Sequence, residues 1–203
     1  MIGPRGFSGV VLIGFMGSGK TSVGREISRR MDAELVDLDD RIERSAGASV
    51  REIFAARGEP AFREMERKAV REAVSVPGRV IATGGGAFLD AGSRRMLKRY
   101  APVVFLDVSP GAVLARLPDD RSRPLLPGVG SGGDAAERER EIGELMKRRR
   151  PAYERADLTV ETDGKTVREV ADLVLSGIGG RPEGGSGRNM SAGGGNRGCI
   201  RTS

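Results

Sequence analysis

The run Val10-Val11-Leu12-Ile13 passes directly into Gly14-Phe15-Met16-Gly17-Ser18-Gly19-Lys20-Thr21, a complete G-x-x-x-x-G-K-[ST] pattern. A buried strand must end abruptly there. The glycines let the backbone curl so that successive N–H groups point inward, and a helix begins at Lys20 with its positive dipole end facing the same point. Such an assembly binds a polyphosphate. Lys20 reaches the β- and γ-phosphates as a point charge, the Thr21 hydroxyl holds the Mg²⁺ that bridges them, and Ser18 and Ser22 add hydroxyl donors. A glycine-rich strand-to-helix turn can match the same letters by accident, but here the apolar strand before and the periodic helix after are both present.

The remaining text alternates strands with helices. Val23, Ile27 and Met31 predict a helix over 20–31, and Leu35-Val36 a strand ending at Asp37-Leu38-Asp39-Asp40. Residues 41–45 read as a helix stopped by Gly47. Ser49-x-x-Glu52 is a capping box opening another helix, interrupted by Gly58 and Pro60 and resumed over 61–74. Val80-Ile81-Ala82-Thr83 is a strand running into Gly84-Gly85-Gly86, where three glycines permit close backbone approach. A helix over 90–98, a strand over 103–106 and a helix from Ser109-Pro110 to Leu117 follow. After an irregular Gly/Pro/Asp-rich stretch, Asp134-x-x-Glu137 caps a charged helix to about Arg150, where Pro151 bends or ends it. A strand over 158–161 and a helix from Thr166-x-x-Glu169 to about Ser176 complete the pattern. Right-handed crossovers between such strands give a parallel sheet covered on both faces, with ligands outside the carboxyl ends of the strands. The phosphate loop, Asp37/Asp39 and the glycine triplet all fall there.

Composition narrows the chemistry. The 203 residues contain no histidine and one cysteine, Cys199, which excludes imidazole catalysis, a disulfide framework and cysteine-based metal sites. Past Leu175, four arginines stand against one glutamate, so half of the net charge of +6 belongs to the tail. With aromatic residues at 4% and no tryptophan, little is available to stack bases, and no nucleic-acid partner is expected. No stretch is long enough for a membrane span or a signal h-region, and the expected location is cytoplasmic. No Asn precedes Asn189 and Gln is absent, which removes an Asn-Lys-x-Asp guanine reader and a water-orienting Gln.

Asp37 and Asp39 alternate with Leu38, so on an extended chain both carboxylates project to one side, one toward magnesium and one toward an acceptor hydroxyl. Helix N-capping is the other reading. Arg63 and Arg149 are candidates to grip an acidic substrate bidentately, although Arg63 also suits an i,i+3 pair with Glu66, and the run Lys147-Arg148-Arg149-Arg150 an ordinary helix end.

Taken in order, the phosphate loop, Val36-Asp37-Leu38-Asp39, Ile53-Phe54 with Gly58-Glu59, Phe62-Arg63-x-x-Glu66, Thr83-Gly84-Gly85-Gly86, Arg123-Pro124-Leu125-Leu126 and Arg149-x-Pro151-x-Tyr153 resemble the shikimate kinases over about residues 10–176. The resemblance implies an α/β, three-layer P-loop kinase fold with a five-stranded parallel sheet, helices on both faces and a lid loop at about 118–133. It implies transfer of the γ-phosphoryl group of ATP to the 3-hydroxyl of shikimate, with Mg²⁺. Lys20, Asp39 and Arg123 take the catalytic roles, and Thr21 and Asp37 the metal. Gly17, Ser18, Gly19, Lys20, Thr21, Ser22, Arg116 and Arg123 hold the nucleotide. Asp39, Arg63, Gly84, Gly85, Gly86 and Arg149 hold shikimate. The expected form is a monomeric domain over 1–176 with a disordered Gly/Ser/Arg-rich tail over 177–203. A kinase for another hydroxylated acid, such as gluconate, is the rival; a GTP-driven switch and a catalytically silent nucleotide binder are alternatives of another kind. The segment 128–133 is longer and richer in glycine than the family pattern suggests.

Overall fold

Val10–Ile13 forms strand β1 with all four side chains buried, the environment that a continuous β-branched and aliphatic run demands. In the computed structural model, which describes residues 9–116, 134–179 and 200–202, β1 is central to the sheet. The elements that follow are α1 (Lys20–Met31), β2 (Leu35–Asp37), α2 (Leu38–Ala46), α3 (Val50–Ala73), β3 (Val80–Ala82) and α4 (Ala91–Tyr100). Then come β4 (Val103–Asp107), α5 (Pro110–Arg116), α6 (Ala135–Tyr153), β5 (Leu158–Glu161), α7 (Val167–Gly179) and β6 (Ile200–Thr202).

The strand order is β2-β3-β1-β4-β5-β6, with the first five parallel and β6 antiparallel to β5. Side chains alternate across the sheet and build two cores. Val11, Ile13, Ile81, Val103 and Phe105 face the α2, α3 and α4 layer through Leu38, Ile42, Phe62, Val70 and Leu97. Val10, Leu12, Val104, Leu158 and Val160 face α1 and α7 through Val23, Ile27, Val170 and Val174. A third cluster of Phe15, Met16, Val108, Val113 and Ile142 joins the phosphate loop to α5 and α6. It seats α6 at the carboxyl end of the sheet.

Several expectations change in detail. The chain does not stay extended through Asp39: α2 begins at Leu38, whose side chain is fully buried, and Asp37 is its N-cap. Helix α6 passes through Pro151 to Tyr153. The proline sits in the last turn, where its missing N–H leaves the Lys147 carbonyl without its helical partner, and buried Tyr153 holds the turn down. In α3, Gly58 has φ 73°, ψ 174° and breaks the helical path two residues before Pro60. The last helix runs to Gly179, past the expected boundary at 176, because Ile178 still packs into the core. Within the tail expected to lack structure, Ile200–Thr202 pairs with the otherwise open edge of β5, whose backbone groups offer a template. The expected lid at 118–133, Leu117 and tail residues 180–199 lie outside the described residues.

Candidate active site

The phosphate loop has the backbone that its glycines allow. Gly14, Gly17 and Gly19 have φ of 147°, 75° and 89°, and a Cβ at Gly14 would lie 2.6 Å from the Leu106 carbonyl oxygen. Gly19 caps α1, so Lys20 is its first residue. The Lys20 ammonium donates to the carbonyls of Gly14 (3.0 Å) and Phe15 (2.8 Å), spanning the mouth of the loop. Thr21 Oγ1 donates to Asp37 Oδ2 at 2.6 Å. The other oxygen of Asp37 accepts from the backbone N–H of Asp39 (3.0 Å) and Asp40 (3.4 Å). One carboxylate thus caps α2 and faces the loop together, so the N-capping reading of this segment is realised, at Asp37.

A crevice of about 640 Å³ opens here, lined by Gly17, Gly19, Lys20, Thr21, Ser22, Asp37, Asp39, Thr83, Gly85, Arg116 and Arg149, and extending to Glu43 and Val50. Of the other expected site residues, Ser18 is buried within the loop, and Arg63, Gly84 and Gly86 do not line the crevice. Arg123 lies outside the described residues.

At Gly84 and Gly86 glycine is required by close approach rather than by backbone angle, since none of the triplet has positive φ. A Cβ at Gly84 would lie 2.5 Å from Asp39 Oδ1 and 3.1 Å from Glu66 Oε1. One at Gly85 would meet Arg149 Nη1 at 3.4 Å and the Tyr153 hydroxyl at 3.9 Å, and one at Gly86 would overlap the Arg63 guanidinium. Gly84 makes room for Asp39 and Gly86 for Arg63, while Gly85 stands at ordinary contact distance from Arg149.

Arg63 donates to Glu66 (2.8 Å) and to Glu59 (2.9 Å), the first pairing being the i,i+3 contact expected on a helix. Glu66 is 2% exposed, and burial pushes its carboxyl above the ordinary value, with the Arg63 charge opposing. Its Oε1 has no hydrogen-bond partner among the described residues. Arg149 is 7% exposed, lies over the Phe15 ring at 5.4 Å, and its Nη1 likewise has no acceptor among them. A buried donor, Arg149 Nη1 at the crevice wall, and a buried acceptor, Glu66 Oε1, are thus left unmatched beside one glycine turn.

On the nucleotide side, Arg116 donates to the Gly17 carbonyl (3.2 Å) and to Thr162 through Oγ1 (3.2 Å) and the carbonyl (3.0 Å), bracing the phosphate loop against the turn after β5. Sequence reading did not single out Thr162, Glu66 or Tyr153 as site residues. For the last two, the spacings Arg63-x-x-Glu66 and Arg149-x-x-x-Tyr153 were the available signal, each placing a side chain on the same helix face as its arginine. Thr21 and Asp37 present hard oxygen donors, and no cluster of three or more His, Cys, Asp or Glu able to hold a metal occurs among the described residues. This donor set fits Mg²⁺, which accepts few protein ligands and takes the rest from phosphate and water.

No helix of the described residues is long and apolar enough to cross a membrane. The profile of the shikimate kinase family matches residues 16–178. The chain is 44% identical over 162 residues to the shikimate kinase of Moorella thermoacetica, covering 80% of this chain and 89% of that protein. It is 42% identical over 167 residues to that of Geobacter sulfurreducens, covering 82% and 88%. The solved structure of shikimate kinase from Acinetobacter baumannii in complex with shikimate superimposes with a TM-score of 0.76 at 36% identity, over 84% of this chain and 92% of that one. With the phosphate loop, the 2-3-1-4-5 parallel strand order and these matches together, the chain belongs to the shikimate kinase family of ATP-dependent phosphotransferases.

Proposed function

We propose that this chain transfers the γ-phosphoryl group of ATP to the 3-hydroxyl of shikimate, giving 3-phosphoshikimate and ADP on the route to chorismate and the aromatic amino acids. The observation that carries the choice of acceptor is the unmatched Nη1 of buried Arg149, close to Gly85 on the crevice wall that Lys20 also lines. A carboxylate meets it with a charge-assisted bond, which the hydroxyls of a neutral sugar do not offer.

Lys20 leaves its two carbonyl partners for the β- and γ-phosphates, which the N–H groups of Gly17, Ser18 and Gly19 and the hydroxyls of Thr21 and Ser22 surround. Thr21 and Asp37 would hold Mg²⁺, which when bound would neutralise charge on the transferred group. Asp39, in the first turn of α2, accepts a hydrogen bond from the acceptor hydroxyl and orients it toward the γ-phosphorus, taking its proton as transfer proceeds. Arg149 grips the acceptor carboxylate, and Gly84, Gly85 and Gly86 line it through backbone. Arg63 supports the same grip from behind through Glu66. Arg116 flanks the nucleotide base, and Arg123 approaches the transferred phosphoryl group. The chain works as a cytoplasmic monomer.

The deciding measurement is a coupled assay of ADP release with shikimate and with gluconate as acceptors. Turnover dependent on shikimate and absent with gluconate is expected; the reverse result would sink the reading.

A further inference from the structure

The carbonyls of the glycine triplet are held in two different ways. Gly84 and Gly86 accept from the N–H groups of Ala87 (3.3 Å) and Leu89 (3.0 Å), turn bonds within the segment itself. The middle carbonyl, of Gly85, accepts from the hydroxyl of Tyr153 at 2.5 Å, a partner 68 residues away. The peptide that this bond fixes lies between two glycines, so no side chain restrains its rotation and the backbone is as permissive as a chain can be. Because the bond is trans, the Gly86 N–H points opposite to the carbonyl that Tyr153 holds.

Tyr153 is built to keep that hold. Its side chain is 2% exposed, and its ring lies against Phe105 of β4 with centroids 5.1 Å apart. It stands four residues after Arg149 on the last turn of α6, so both side chains meet Gly85 from one helix face. Burial pushes the phenol above its ordinary range, with Arg149 opposing, so the hydroxyl remains a donor at neutral pH.

We infer that Tyr153 is a positioning residue for acceptor recognition: its hydroxyl sets the Gly85–Gly86 peptide plane against which Arg149 presents its guanidinium. Tyr153 itself does not line the crevice, so it acts through Gly85 rather than on the substrate. This inference rests on the shikimate reading given above.

The test is Tyr153→Phe, which removes the hydroxyl and keeps the ring on Phe105. The KM for shikimate should rise about tenfold, the loss of one buried hydrogen bond, while the KM for ATP and kcat stay within about twofold. A merely structural role would lower the melting temperature without separating the two KM values, and that result overturns the inference, as does an unchanged KM for shikimate. Phe105→Leu, which loosens the ring and leaves the hydroxyl in place, should raise the KM for shikimate in the same selective way; equal changes for both substrates would count against it. Wild-type enzyme in the same assay separates the two ideas. Absence of shikimate-dependent turnover there refutes the substrate, whereas normal wild-type turnover with an indifferent Tyr153→Phe refutes only the role of Tyr153.

Discussion

Thr21 and Asp37 meet across 2.6 Å and tie the first turn of α1 to the end of β2, while the same carboxylate caps α2. The two duties separate by substitution. Asp37→Asn keeps an oxygen for the N–H groups of Asp39 and Asp40 but removes the charge. It should melt close to wild type and need about tenfold more Mg²⁺ for half-maximal turnover. Asp37→Ala loses the cap as well, and denaturant titration should show about 1 kcal/mol less stability.

Asp39 sits in the first turn of α2, pressed against the space beside Gly84. Asp39→Asn is nearly isosteric, yet kcat should fall by about 10²- to 10⁴-fold with the Kd for ATP, measured calorimetrically, little changed. Full activity in this variant would remove Asp39 from the mechanism.

The pair Arg63–Glu66 gives a pH signature. Burial raises the Glu66 carboxyl above its ordinary value of 4.5, and Arg63 opposes the rise. A raised pKa in the folded state means that the stability carried by the protonated form is present below about 4.5 and is lost as pH climbs through the folded value. Arg63→Ala removes the opposing charge, so its deficit against wild type should be smallest near pH 4.5 and grow toward neutrality, reaching about 3 kcal/mol. Adding Glu66→Gln should flatten that dependence in thermal melts across pH. Arg63→Ala should also raise the KM for shikimate, and an unchanged KM would count against a part in acceptor binding.

Arg116 spans from the phosphate loop to Thr162, which is 2% exposed. Arg116→Ala should raise the KM for ATP about tenfold and leave that for shikimate within about twofold. Arg116→Lys should recover little, because an ammonium lacks the planar fork that reaches Gly17 and Thr162 together.

The sequence made the sheet and the phosphate loop legible because both depend on local pattern: four apolar residues, then glycines where φ is positive, then a helix. It misjudged Asp37-Leu38-Asp39 because alternation assumes an extended chain, whereas the cap at Asp37 turns the backbone into α2 at once. Pro151 is compatible with a bend or an end of the helix, and the burial of Tyr153, a tertiary effect, carries α6 past it. The third strand-end feature, Gly84-Gly85-Gly86, was visible as a site of close approach; that Asp39, Arg149 and Arg63 are what approach could not be read from spacing, since each contact joins distant parts of the chain.

Those three glycines also bear on how this enzyme can change. A methyl group at Gly84 or Gly86 enters space already held by the Asp39 carboxylate or the Arg63 guanidinium, so that charged group would have to move, whereas one at Gly85 makes ordinary contact with Arg149. Single steps away from glycine therefore lead downhill at Gly84 and Gly86, and a new acceptor specificity is reached more readily through other residues of the crevice wall. A saturation library scored for growth on shikimate-dependent function would map this as a narrow forbidden band beside a permissive margin.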